Sequence, residues 1–274
     1  MPAMILINNI QSDILESLSR FSFLAISQLR GITGKSLGYL REQLAILSHR
    51  KFIGSYHLER PGKAENIYYL TEAGKELLLS HAKVFAGDIR VPVGVPLVVR
   101  DYQHRKNFID LHIALHALTQ KQGIGIAAFH AYFHKTGNNR TAHNLEAKTK
   151  IPLSTEGFFI PDGVMITESS EGKKLYLLEL YNGKDTGRVV QQLGKHSMAI
   201  REGTPGKTFG LQANPFVLSA FEHASIRDAV IKRLVQHQGF ARISHLYFFA
   251  ALEDVTNDCE NAWRTTTGER LEFT

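Results

Sequence analysis

The 274-residue chain has a single cysteine, Cys259. That excludes an intrachain disulfide and a cysteine-built zinc cluster. No apolar run approaches the ~20 residues a membrane helix needs, so no membrane partner is expected. The stretch from Met1 to Ile10 has no basic segment leading into a long apolar core, so no signal peptide is read and a cytoplasmic location is expected. There is no glycine-rich phosphate loop, since Gly163 and Gly183 stand alone. No Gly-x-Ser-x-Gly elbow supports serine-hydrolase chemistry. No internal repeat points to a solenoid. What is present is positive charge: a net +6 and a pI near 9.3 favour an anionic partner, of which nucleic acid is the commonest.

Residues 8 to 81 read as a winged helix-turn-helix. Ile10, Ile14, Leu15 and Leu18 recur at helical spacing, Ala25 to Leu29 is a short second helix stopped near Gly31, and Ser36 caps a third. Leu37, Leu40, Leu44 and Leu47 make the buried stripe of that third helix. A strand from Phe52 to Leu58, a polar tip from Glu59 to Asn66 and a return strand from Ile67 to Leu70 form the wing. Thr71 caps the next helix. A third helix of this kind enters the DNA major groove while the hairpin lies along the backbone. With the leucines inward, Lys35, Ser36, Tyr39, Arg41 and Gln43 are left outward to meet DNA. Arg60 and Lys63 sit on the hairpin tip, suited to phosphates.

Residues 83–99 read as a linker, because Pro92, Gly94 and Pro96 argue against a helix or a central strand. The rest, 100–274, alternates helices and strands and reads as a mixed sheet flanked by helices. Asp101 to Gln120 is a helix carrying His112 and His116 four apart, with no acidic partner in a zinc spacing. Lys135 to Lys150 is a polar loop, and Lys135, Arg140, Lys148 and Lys150 are candidates for nucleic-acid contact. Asp185 to Glu202 is a helix with Val189, Leu193 and Ile200 toward the sheet, and residues 203–213 read as a loop.

The stretch Phe158 to Arg188 carries the chemistry. Two apolar runs flank a polar tract with Gly172, the mark of a hairpin. Folding it between Ser170 and Glu171 sets Val164 opposite Leu177, Ile166 opposite Leu175 and Asp162 opposite Glu179. Directly opposed residues share a face. Both faces are apolar, which predicts a central position in the sheet. Two carboxylates brought together repel unless a cation, proton or donor lies between them, and magnesium takes oxygen ligands of this kind. The alternative is that Asp162 caps the strand turn while Glu179 pairs with a basic residue such as Lys195.

Pro161-Asp162, a hairpin and Glu179 in an apolar strand resemble the PD-(D/E)xK nuclease superfamily. The resemblance implies a restriction-endonuclease-like fold in which Asp162 and Glu179 hold Mg2+ or Mn2+. Tyr181 stands where that family has its lysine, so Lys195 on the following helix is the candidate for that role, with Lys184 second. Gln191 or Gln192 would hydrogen-bond water or phosphate. Tyr181 is also a candidate nucleophile, ranked below metal-activated water.

The whole chain, roughly residues 10 to 250, resembles the replication-relaxation family of plasmid and mobile-element proteins. The likeness rests on the winged helix closing in Tyr69-Leu70-Thr71, on His104 opening the central helix, on Pro161-Asp162-Gly163, on Glu179 and on Lys195. Many members of that family have an acid where Tyr181 stands. The family resembles the C-type mobilisation relaxases. The resemblance implies a winged-helix domain at 1–82, a nuclease-like domain at 100–274, double-stranded DNA as partner, and metal-dependent nicking at an origin of transfer or replication. Lys184 and Arg188 join the DNA-binding set. A homodimer and the coupling or relaxosome proteins of conjugation are further candidate partners. The competing expectation is a replication, copy-number or transcription regulator that binds DNA on a nuclease-like scaffold without cutting it. A restriction or defence endonuclease is a third.

Overall fold

The computed structural model describes residues 6–60, 63–81, 89, 91, 99–136, 146–154, 157–236 and 238–273. It divides into two compact units, 1–113 and 114–274. The polar loop read at 135–150 is described only at its two ends, and Arg140 lies outside the described residues.

In the first unit, helix α1 (Asn9–Phe21) starts at Asn8, whose side chain accepts the Gln11 N–H at 2.8 Å while Gln11 accepts the Asn8 N–H. That reciprocal cap satisfies two donors that a helix start leaves unpaired. Strand β1 (Leu24–Ala25) leads into α2 (Ile26–Thr33), which Gly34 ends at a φ of 68°. This is the left-handed region that only glycine enters cheaply. Helix α3 (Leu37–His49) begins at Ser36. Strands β2 (Ile53–Arg60) and β3 (Lys63–Leu70) form the wing, and α4 (Glu72–Ser80) begins at Thr71, whose hydroxyl accepts the Gly74 N–H. The sheet order is β1-β3-β2, which with the helices gives the winged-helix order. The wing is longer than its sequence pattern implied, because the polar tip continues the antiparallel ladder to Arg60 opposite Lys63.

The helix α5 (Val99–Lys121) begins in this first unit. Gln28 Nε2 donates to Asp110 Oδ1 at 2.9 Å and to the Lys106 carbonyl, and Arg105 Nη2 donates to the Phe21 carbonyl at 2.6 Å. His112 is buried with its ring 5.3 Å from that of Phe21, so it packs in the core. By compactness the division falls within α5, between Ile113 and Ala114. Most of 83–98 lies outside the described residues.

The second unit is built on a five-stranded mixed sheet. Strand β4 (Gly125–Ala131) is followed by the short pairs β5 (Lys135–Thr136) with β6 (Glu146–Ala147) and β7 (Ile151–Pro152) with β8 (Phe158–Phe159). Then come β9 (Gly163–Ser169), β10 (Gly172–Tyr181), α6 (Thr186–Glu202), α7 (Thr204–Phe209), β11 (Phe216–Phe221), α8 (Ala224–Val235) and β12 (Tyr247–Ala251). The order is β12-β11-β10-β9-β4. Strands β4, β9 and β10 pair antiparallel to one another in turn, and β11 and β12 continue in parallel with β10. The mixed α/β expectation holds, and the hairpin lies inside the sheet as its two apolar faces require.

The hairpin register follows the sequence: Ile166 pairs with Leu175 and Val164 with Leu177. A two-residue loop joins Ser169 to Gly172, whose φ of 113° suits the tight return. One face of the hairpin packs Val164, Leu175 and Leu177 against Ile151, Phe159 and Ala199. Beside it, Val189, Leu193 and Ile200 of α6 pack on Val217, Phe221, Val230 and Tyr247. Each such side chain contributes roughly 1.5–3 kcal/mol by leaving water. The surface under α6 is thus dry, and a polar group there costs free energy unless it finds a partner within the protein.

Candidate functional site

Two regions gather the residues that sequence assigned to function. The first is α3. Lys35, Ser36, Tyr39 and Arg41 are exposed on one side of it, while Leu40, Leu44 and Leu47 are buried on the other. Neither Lys35 nor Arg41 pairs its charge with a described residue, and Tyr39 keeps 37% of its surface in solvent. Gln43 is a correction. It is 4% exposed, and its Oε1 accepts from Asn8 Nδ2 at 3.0 Å and from Gln11 Nε2 at 2.9 Å. Three residues from Leu40 and four from Leu47, it sits on the inward stripe and ties α3 to the start of α1. Its polarity suggested a surface residue, but a buried amide is stable once its hydrogen bonds are met. The side chains of Arg60 and Lys63 lie outside the described residues.

The second region is the end of the β9–β10 hairpin. Asp162 precedes β9, and its Oδ2 accepts the Leu180 N–H at 2.8 Å, continuing the ladder with a side chain where the backbone pairing stops. Glu179 points beneath α6 and is 3% exposed. Its Oε1 accepts from His196 Nε2 at 2.6 Å. Gln192 Nε2 reaches the same oxygen at 3.5 Å, the outer limit of a hydrogen bond. Gln192 and His196 are four apart on α6 and therefore share a face. Lys195, between them, forms no ion pair or hydrogen bond with the described residues and is half-buried. The partner of Glu179 is therefore a histidine that sequence reasoning did not single out.

Burial sets the charge state of this pair. His196 has no exposed surface, its pKa is lowered to about 3 by burial, and the charge of Asp162 opposes the shift without reversing it. A neutral imidazole beside a carboxylate keeps its proton on the nitrogen that faces the acid, so Nε2 donates. The ring is held edge-on to Phe159 with centroids 4.7 Å apart, and Nδ1 is enclosed without a partner. Ser219, the register partner of Glu179 on β11, also has its hydroxyl enclosed without a partner. Unpartnered buried groups cost roughly 1–3 kcal/mol each, so the orientation of His196 toward Glu179 is held against that cost.

Tyr181 lies two residues beyond Glu179 on the same face of β10, its ring 5.0 Å from that of Phe221. Part of the residue reaches solvent, but its hydroxyl is enclosed without a partner. Burial raises its pKa well above that of an ordinary phenol, and the charges of Glu179 and then Asp162 raise it further. A phenol that holds its proton this firmly is a poor nucleophile. Lys184 and Arg188 follow β10 directly and are exposed, with the Arg188 N–H donating to Asp185 at the start of α6.

A magnesium or manganese ion would need oxygens from Asp162 and Glu179. The residues present do not fit that ion well. Asp162 gives an oxygen to Leu180, Glu179 gives one to His196, and α6 presents an amide and a neutral imidazole instead of a lysine. Among the described residues no group of three His, Cys, Asp or Glu side chains is arranged to hold a metal. The arrangement can stabilise a buried carboxylate. It matches the alternative reading in form, with Asp162 capping the strand end and Glu179 paired from α6, though by His196 and not by Lys195.

His196 was legible in part. Val189, Leu193, His196 and Ile200 recur at four, three and four residues, so the histidine falls on the buried stripe already read from the apolar residues. A histidine there, across from an acid in the adjoining strand, was the available signal.

No helix among the described residues is long and apolar enough to cross a membrane. No protein-family model matches the chain, and no curated protein matches it. Among solved structures, PadR of Bacillus subtilis in complex with operator DNA is similar at 15% identity, over 42% of this chain and 70% of that one, with a TM-score of 0.27. A likeness of that size does not fix a fold.

Proposed function

We propose that the chain is a site-specific DNA-binding protein that grips duplex DNA through α3 and the wing and does not cut it. In this reading it is a replication, copy-number or transcription regulator of a plasmid or mobile element, on a nuclease-like scaffold. The observation that carries the binding is the exposed face of α3, where Lys35, Ser36, Tyr39 and Arg41 stand clear of the buried leucine stripe. Such a helix suits base edges through Arg41 and phosphates through Lys35, with the overall +6 charge drawing DNA in. The absence of cutting is supported by the Glu179–His196 hydrogen bond of 2.6 Å, which commits a needed carboxylate to a protein donor. Membership of a mobile element rests on the resemblance in the sequence alone.

A second reading, a Mg2+- or Mn2+-dependent nickase or relaxase, is favoured by a specific observation. With the short strand pairs β5–β6 and β7–β8 and the short helix α7 set aside, the order from α5 to β11 is helix–strand–strand–strand–helix–strand, which suits a PD-(D/E)xK-like domain with Asp162 and Glu179 at the end of its central hairpin. In that reading Lys195 or Lys184 would supply positive charge, and homodimers or conjugation proteins would be partners. One experiment separates the two. Selection of bound fragments from random duplex DNA yields a preferred site, which is then placed on a supercoiled plasmid. Retention of the site with no nick in magnesium or manganese is expected. Nicks that vanish in Asp162→Asn would establish the nickase instead.

A further inference from the structure

We infer that the groove between α6 and α8 is a binding site for an unbranched aliphatic carboxylate, with its head at Arg201 and its chain laid along α6. Neither α3 nor the Glu179–His196 pair takes part in it. The groove encloses about 440 Å3, within the range of small-molecule sites. Val190, Gly194, Ser197 and Arg201 line it from α6. They recur at four, three and four residues, so they form one stripe, turned away from Gln192 and His196. At 1.5 Å per residue the stripe runs about 16 Å. Spread over that length, the volume leaves room for one extended chain and not for a compact fused ring.

The chemistry changes along the slot. Across from α6 stand Leu234 of α8 and Phe240 of the short helix Gln238–Ala241. These two and Leu193 are buried side chains that the groove nevertheless reaches. Phe240 is held edge-on to the buried Tyr247 with centroids 4.8 Å apart, so this wall is fixed. Midway, Gly194 contributes no side chain, and a Cβ built there would meet nothing within 4 Å, so the slot stays open. At the far end Ser197 and Arg201, four apart, place a hydroxyl and a guanidinium on one face. A guanidinium takes a carboxylate through two parallel hydrogen bonds. Glu202 at the same end is already engaged, because its Oε2 accepts the Ser154 N–H at 3.0 Å. An apolar run closed by a cation is complementary to an amphipathic anion. The chain leaves water along the slot while the head stays at the exposed Arg201.

The test titrates dodecanoate, below its micelle threshold, into the full chain by isothermal calorimetry. One molecule per chain should bind saturably and raise the Tm. Acetate has the head without the chain, and dodecyltrimethylammonium has the chain with the opposite charge. Each should bind at least about tenfold more weakly. Arg201→Gln should weaken dodecanoate binding at least about tenfold at an unchanged ligand-free Tm. Gly194→Leu fills the slot and suits a helix better, so it should abolish binding without lowering the ligand-free Tm. Folded protein with no saturable site for dodecanoate overturns the inference. Equal uptake of the cationic surfactant does so too, since it marks non-specific adsorption, and so does full binding by folded Gly194→Leu, which places the ligand elsewhere. Sedimentation covers the other occupant: a dimer that Gly194→Leu splits gives the groove to a second copy and overturns the ligand. If circular dichroism finds Gly194→Leu unfolded, Arg201→Gln, changed only at an exposed side chain, decides.

Discussion

The exposed side of α3 and the buried end of the β9–β10 hairpin are both polar, yet they dispose of their polar groups in opposite ways. On α3, Lys35 and Arg41 reach solvent with no charge partner among the described residues. Under α6, Glu179, Gln192 and His196 serve one another. Charges held out in water cost nothing to keep and are ready for an outside molecule, while charges taken into a dry interior must be answered from within. The contrast separates a surface made for a partner from a cluster that completes its own fold.

The comparison breaks most sharply at His196. Replacing it with Leu leaves Glu179 buried without its main donor and should destabilise the protein by roughly 3–5 kcal/mol in urea unfolding. DNA affinity, measured where the variant is still folded, should change less than about twofold. An equal loss of both would mean that the two regions are not independent. Arg41→Ala should do the reverse. It should weaken binding to the preferred duplex by roughly 1–3 kcal/mol, tenfold or more, at unchanged Tm, and should relax specificity at one base position. Binding that is indifferent to Arg41 would remove α3 as the reader.

Gln43 tests the boundary between the two kinds of polar group. Gln43→Leu keeps its volume and strands the amides of Asn8 and Gln11, so a stability loss of about 1–2 kcal/mol is expected with little effect on DNA. A large fall in affinity at full stability would return Gln43 to the contact surface. The smallest effect belongs to Gly38, which is exposed on α3 with nothing within 4 Å of a Cβ built there. Gly38→Ala should add about 0.5–1 kcal/mol of stability, since glycine is a poor helix former. If DNA approaches this turn closely, the same methyl should weaken binding, and an improved or unchanged affinity would place the duplex elsewhere along α3.

The fold was legible where a local rule and the burial pattern agreed. Ser36 and Thr71 are caps by type and by position, and the alternation around Gly172 set the β9–β10 register to the residue. Short pieces escaped. Strand β1 has two residues, too few for any period, and exists because β3 pairs with it. Helix α7 was hidden by its glycines, two of which, Gly203 and Gly210, lie at its ends and not within it. The site was less legible because side-chain type was given more weight than position. Gln43 read as outward because it is polar, and Lys195 was chosen because it is charged. The helical period puts Gln43 on the buried stripe of α3, and Gln192 and His196 on the side of α6 that meets the acid.

Asp162 is also part of the scaffold, because its carboxylate completes the pairing of β10 through Leu180. Shortening that residue to alanine would fray the sheet margin and disturb whatever depends on it, whether or not any bond is ever cleaved there. Asparagine retains an oxygen for the same amide and removes only the negative charge. Among changes at this position, only that swap can tell chemistry from architecture.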